Sequence, residues 1–237
     1  MAKTAVQKIN SQTPIKIPTI ESEAHTSPDH LFIVQAAAKG FEVIDDPELH
    51  FLLSRQISDD GDHANHLRVS VESYTGRDPN KDVARLIKEQ WDLYGDLPSK
   101  DWLGWYGFEF EYELYNVPEI VLSLRSLKIL DPKIEKLGSE RIGPDEAFHR
   151  DFLTAWWHRR LAGSSQQERA DILGHMREQD AEYRQRKAVY YESLIRRMSD
   201  FGAWWYEQTR PINEEWHSQV LEFLLSIPEH LQGTAAV

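Results

Sequence analysis

Along most of this chain the apolar positions return every three or four residues, the period of a helix with one buried face. Residues 1–26 are the exception. They carry Thr, Ser, Pro and Lys with no period, so an irregular N-terminal arm is expected there, ahead of one helical domain over residues 27–237. Ser27-Pro28 reads as a cap and first turn, followed by Leu31, Val34, Ala37 and Ala38 on one face and Gly40 as the stop. Asp46-Pro47 starts a second helix through Leu49, Leu52, Leu53 and Ile57, and Asp59-Asp60-Gly61-Asp62 reads as a break. Asp78-Pro79-Asn80 opens a helix with Val83, Leu86, Ile87 and Trp91 on one face and Gly95 at its end.

Two segments fit two periods. Residues 63–75 place Leu67, Val71 and Tyr74 at helical spacing, but Leu67, Val69 and Val71 at strand spacing. In 102–115, Tyr106, Phe108, Phe110, Tyr112 and Leu114 alternate with glutamates as a strand would, while Leu103, Tyr106, Phe110 and Leu114 suit a helix. Val117-Pro118-Glu119 then leads into an apolar set from Ile120 to Ile129. The last third is unambiguous. A helix runs from Pro144 to Leu161 and closes at Gly163. A long one, capped by Ser164 or Ser165, runs to about Gln208, and another starts at Pro211. The expected fold class is therefore all-α in a single domain, with no internal repeat and no linker between two cores.

Composition narrows the function. The 237 residues include 27 Lys+Arg against 39 Asp+Glu, a net charge of -12, which repels phosphate backbones and argues against nucleic acid as a partner. The basic residues between Arg184 and Arg197 are diluted by Glu178, Glu182 and Glu192 and read as a solvated helix face. Mean hydropathy is -0.58 and no apolar run spans a bilayer, so no membrane partner is expected. Cysteine is absent, which excludes disulfides, thiolate metal sites and cysteine nucleophiles, and a cytoplasmic location fits. A small-molecule substrate is the remaining class of partner, and a homodimer is compatible.

No phosphate-binding, dinucleotide, nucleophile-elbow or zincin motif is present. Carboxylates and histidines at helical spacing remain, a donor set for Fe, Mn or Zn. Asp59 and His66 stand seven residues apart across the polar run. Glu109, Glu111 and Glu113 form a ladder. Glu109 and Glu113 share a helix face, whereas on a strand all three face water. Glu146-Ala147-Phe148-His149 is a Glu-x-x-His pair of the kind that bridges metals inside helical bundles. Glu214-Glu215-Trp216-His217 repeats it, but Glu214 falls in the first turn after Pro211, so it reads as a helix-dipole residue and His217 as structural or exposed. His158 and His175 are single helix histidines, and Trp156-Trp157 and Trp204-Trp205 read as helix packing.

The order of these pieces resembles the haem-oxygenase-like helical superfamily, in its CADD-like branch of non-haem di-iron oxidases, related to the pyrroloquinoline-quinone synthase and thiaminase II proteins. Asp59-Asp60-Gly61 followed by His66-Leu67 is similar to that branch's acidic-acidic-Gly, four residues, His pattern, with Asp59 where the family usually has Glu. Gly104 to Glu109, through Glu113 to Val117-Pro118, is similar to its aromatic helix with a ligand glutamate. The family's His, three residues, Asp, two residues, His string is absent, and Glu146-x-x-His149 matches only its second half. The resemblance implies a haem-oxygenase-like multi-helical bundle that binds iron, or manganese, and oxidises or oxygenates a small substrate. It implies Asp59, His66, Glu113, Glu146 and His149 as ligands, with Glu109 and His158 as alternatives to Glu113 and His149. The competing reading is a metal-free binding or interaction module on the same scaffold.

Overall fold

The computed structural model describes residues 19–116, 136–195 and 200–231. Helix α1 spans Thr19–Val43, α2 Pro47–Thr75, α3 Asn80–Tyr94, the short α4 Leu97–Lys100 and α5 Trp102–Glu109. The axis of α5 continues as a wider π-helix over Phe110–Asn116. A second π-turn, Gly138–Ile142, leads into α6, Gly143–Ala162, followed by α7, Gln166–Ile195, and α8, Asp200–Leu225. The described residues contain no strand, as expected for an all-α chain, and none of their helices is long and apolar enough to cross a membrane. The segment from Val117-Pro118 to Ile129 lies outside the described residues, as do residues 1–18 of the N-terminal arm.

Several boundaries follow the local signals. The Asp46 side chain accepts from the Glu48 amide at 2.8 Å, Gly95 stops α3 at φ 61°, and the Ser165 hydroxyl accepts from the Glu168 amide at 3.2 Å. Others do not. Helix α1 begins at Thr19, so Pro28 lies inside it, and Pro211 likewise lies inside α8. The polar run at Asp59–Asp62 does not break its helix: α2 passes through it without interruption. Asp60 and His63 point inward there and are fully buried, so residues that look like a turn in sequence belong to an internal polar cluster.

The strand alternative for 102–115 is corrected in the same way. This segment is the central helix, and every residue from Leu103 to Leu114 is buried. An element enclosed on all sides shows no polar face, so its period cannot be read from hydrophobicity. Gly107 permits the enclosure: a Cβ there would meet Gln179 and Tyr183 at 3.1 Å. Tyr183 Oη donates to the Gly104 carbonyl at 2.9 Å, and Tyr106 Oη donates to the Leu153 carbonyl at 3.1 Å, tying α5 to α7 and α6. One apolar cluster around Leu53, Trp105, Tyr106, Trp157 and Met176 packs one end of the helix. A second, around Phe32, Tyr94, Phe108 and Tyr183, packs α1 and α3 against it. Burial of each such large side chain stabilises the fold by about 1.5–3 kcal/mol. The central helix is thereby fixed with its glutamates pointing into the interior.

Candidate metal centre

Four elements deliver polar side chains to one buried cluster. Helix α1 supplies His30. Helix α2 supplies Gln56, Asp60 and His63, at spacings of four and three that share a face. The central helix supplies Glu109 and Glu113, and α6 supplies Glu146 and His149. The π-helix that carries Glu113 is a departure of a kind often found at functional sites.

Two overlapping ligand sets result. In the first, one donor atom from each of His30, Asp60, His63 and Glu146 lies within 4.8 Å of the others. His30 Nδ1 is 2.6 Å from Asp60 Oδ1, and His63 Nδ1 is 3.3 Å from Glu146 Oε1. The second joins Asp60, Glu113 and His149 within the same limit. His149 Nδ1 is 3.5 Å from Glu113 Oε2 and 3.8 Å from Glu146 Oε2. Asp60 therefore belongs to both sets, and Glu146 turns one oxygen to His63 and the other to His149. Asp60 and Glu146 thus stand between the two sets of donors.

The remaining ring nitrogens point outward to a second layer. His63 Nε2 donates to Asp145 Oδ2 at 3.1 Å, and His149 Nε2 donates to Asp59 Oδ2 at 3.2 Å. Arg55 clasps both of these carboxylates, at 3.0 Å from Asp59 and 3.3 Å from Asp145, and lies over the Phe148 ring at 4.1 Å. Gln56 Nε2 donates to Glu109 and to Glu113, each at 2.7 Å. A histidine whose outer nitrogen donates to a carboxylate, leaving the inner one free, is the usual arrangement around a bound metal.

The charge balance calls for a cation. Asp60, Glu109, Glu113 and Glu146 are four buried carboxylates, and no lysine or arginine among the described residues reaches them. Asp60 Oδ2, Glu109 Oε1, Glu113 Oε2, both Glu146 oxygens and the Nδ1 atoms of His63 and His149 are buried without a hydrogen-bond partner among the described residues. Leaving such groups uncompensated costs several kcal/mol each. Without metal, protons must fill the gap. Burial disfavours charge on His63, but the Asp60 and Glu146 carboxylates outweigh it and push the imidazole up to about 10. Burial is likewise outweighed at His149, which Glu113 and Glu146 push up to about 12. Glu113 is pushed up to about 7 by burial and by the charge of Glu146, and Glu109 is raised well above the carboxylate range by burial and by Glu113. Glu146 is held down to about 2: burial and the Asp60 charge oppose its ionisation, but His149 and His63 prevail. Oxygen and imidazole donors in two overlapping groups would hold up to two divalent ions, so the residues present fit a dinuclear site.

Of the residues expected from sequence, Glu113, Glu146 and His149 come together here. Asp59 lies one layer out, as the hydrogen-bond acceptor of His149. His66 is not brought to the cluster: its side chain is 46% exposed and faces Asp62 at 3.6 Å, which also pairs with Arg141 at 2.8 Å. In an unbroken helix, three residues separate inward Asp60 from inward His63, and His66 falls on the solvent side. Glu109, the alternative to Glu113, is buried beside it. His158 sits elsewhere, against the Phe223 ring and its carbonyl. Asp60 and His63 were missed, although their signal is in the sequence. Asp59-Asp60-Gly61-Asp62-His63 and Asp145-Glu146-Ala147-Phe148-His149 share the order acid, acid, two residues, His. No pattern marks His30.

A third group, Glu111, Asp180 and His217, lies on the opposite side of the central helix. His217 is buried and bonds Asp180 at 2.6 Å, while Glu214 is exposed, so that second Glu-x-x-His string forms no metal pair. Here the chain supplies its own cation: Lys187 Nζ reaches Glu111 at 2.8 Å. The buried carboxylate thus has a cation of the chain itself beside it. Comparison with protein-family models, curated proteins and solved structures finds no match to this chain.

Proposed function

We propose that this chain is a helical non-haem metalloprotein with a carboxylate-bridged dinuclear centre, an iron-dependent oxidase or oxygenase of a small substrate. The observation that carries the reading is the set of buried oxygen and nitrogen atoms without hydrogen-bond partners, in two overlapping groups that no lysine or arginine among the described residues reaches. The donors are oxygen and imidazole without thiolate, which suits Fe(II) or Mn(II). An acid-x-x-His pair from each of two helices, joined by a carboxylate from a third, is the donor pattern of di-iron and di-manganese helical proteins. This chain follows it with His30 in place of the fourth helix's carboxylate. The haem-oxygenase-like resemblance implied the same class of chemistry, but its first motif ran through Asp59 and His66. The present reading rests on Asp60 and His63 instead.

The roles of the residues follow from position. Asp60 and Glu146 would hold the ions between them, each carboxylate being able to bind through one oxygen or two. His30 and His63 complete one position, Glu113 and His149 the other. Gln56 orients Glu113 and Glu109, and Glu109, its own charge disfavoured, holds a proton close to the centre. Burial of every residue from Leu103 to Leu114 excludes water from it. Iron bound there would supply the electrons that reduce dioxygen.

The test is anaerobic reconstitution with Fe(II), removal of loose iron, and mixing with dioxygenated buffer in an oxygen electrode. Stoichiometric oxygen consumption is expected from the wild type, and none above free iron from His63→Ala with His149→Ala. Absence of bound iron and of oxygen uptake in the wild type would favour the metal-free module.

A further inference from the structure

The far side of the central helix carries a cleft that plays no part in the candidate metal centre. It runs along the seam of α7 and α8 and encloses about 460 Å³, within the range of small-molecule sites. Helix α7 lines it with Arg177, Asp180 and Arg184, at spacings of three and four that share one face. Helix α8 supplies His217, Leu221 and Leu225, four residues apart, with Glu222 beside them. The floor is buried: His217 Nε2 donates to Asp180 Oδ1 at 2.6 Å and stands 3.6 Å from Glu111 of the central helix. Leu221 and Leu225 are half-buried and pack against the core, so one wall is apolar.

The charges around the cleft do not cancel. Arg177 and Arg184 stand one turn to either side of Asp180, yet Asp180 is engaged by His217. Among the described residues neither guanidinium pairs with a carboxylate, and Arg177 donates to the Leu173 carbonyl at 3.4 Å. Arg186, on the same helix, shows the ordinary surface case, with Glu182 at 2.7 Å. Burial opposes charge on His217, but Asp180 and Glu111 raise it above its ordinary value, so it offsets Asp180. Two guanidinium groups against Glu222 then leave one positive charge in excess in the cleft, on a chain whose net charge is -12.

We propose that this cleft binds a small aliphatic monocarboxylate, its carboxylate held by Arg177 and Arg184 and its chain lying on Leu221 and Leu225. A guanidinium presents paired N–H donors that match the two oxygens of a carboxylate. One excess positive charge suits one negative charge. Asp180 and Glu222 repel the second charge of a phosphate dianion, which also gains nothing from the leucines, and both arginines repel an amine. The site is separate from the candidate metal centre and does not depend on iron being bound there.

The experiment is isothermal titration of the full chain, as purified and again after chelation, with hexanoate, hexylamine and inorganic phosphate. One hexanoate per chain is expected in both preparations, with a dissociation constant below about 1 mM, and binding at least about tenfold weaker for the other two probes. Arg177→Ala and Arg184→Ala change exposed side chains and leave the core intact, and each should weaken hexanoate about tenfold or more, as loss of a hydrogen bond between charged groups does. Arg77→Ala, at an exposed position outside the cleft, should not. Hexanoate that fails to bind, or binds no tighter than hexylamine or phosphate, overturns the inference. So does affinity unchanged in the Arg177→Ala, Arg184→Ala double variant, or an equal loss in Arg77→Ala.

Discussion

His149 turns its Nε2 onto Asp59, 3.2 Å away, and leaves its Nδ1 facing Glu113 and Glu146. This pair explains why an aspartate beside the cluster is not in it. Asp59 fixes the ring, so that the nitrogen facing inward is the one that would give up its proton to a metal. Asp145 does the same for His63. Asp59→Ala and Asp145→Ala should each keep the helical fold and lower metal affinity about 10–100-fold. Competition with a chromophoric chelator measures this. Unchanged affinity in both would remove the outer aspartates from the account.

Metal uptake should release protons. His63 and His149, pushed up to about 10 and about 12 in the metal-free chain, are imidazolium at pH 7, and both must lose a proton to bind an ion. Affinity should rise with pH through the neutral range. The metal-free fold should respond in the opposite direction. A histidine raised in the folded state contributes stability that is complete below its unfolded value of about 6.5 and is lost as pH rises through its folded value. Glu113, raised to about 7, adds to the same loss. Isothermal titration in buffers of different ionisation enthalpy counts the protons, and no release at pH 7 would contradict the assignment.

Glu113→Gln separates the two states of the protein. It removes a carboxylate that crowds Glu146 and Glu109 but also one that faces His149, so the metal-free chain should melt close to the wild-type temperature. The metal-dependent gain should shrink. Ligand at about a thousand times its dissociation constant stabilises by about 4.1 kcal/mol, and a hundredfold weaker site loses about 2.7 kcal/mol of that. Thermal melts with and without chelator read both effects.

Lys187→Met tests the network on the other side of the central helix. It leaves Glu111 buried without its cation, which should destabilise by about 3–5 kcal/mol while metal stoichiometry stays as in the wild type. His217 provides a pH signature. Burial opposes its charge, but Asp180 and Glu111 raise it, so its contribution is complete below about 6.5 and fades as pH rises through the raised value. A His217→Phe variant should lose that part of the pH dependence in denaturant melts.

The helix from Gly143 to Ala162, the Asp46 cap and the Gly95 stop were legible because their signals are local, whereas Pro211, which reads as a helix start, lies inside α8. The central helix was not, because alternating aromatic and glutamate residues describe a strand as well as they describe a helix buried all round. Only the packing of α1, α2, α6 and α7 about it distinguishes the two. Glu113, Glu146 and His149 could be picked out because helical spacing and residue type coincide there. Asp60 and His63 were hidden by Gly61 and three aspartates that imitate a turn, and were outweighed by a motif through His66. What identifies them is the match with Asp145-Glu146-x-x-His149, whose cross-pairing exists only once the two helices meet. His30 is placed by tertiary structure alone.

The central claim is that two ions share Asp60 and Glu146. It is tested most directly by counting metal bound to the chelator-stripped chain, titrated anaerobically with Fe(II) and separated from free metal before elemental analysis. Two ions per chain are expected in the wild type and in His66→Ala, whose histidine is on the surface, and fewer than one in Glu146→Ala. A wild type that retains no iron, or a Glu146→Ala variant that retains as much as the wild type, would contradict it.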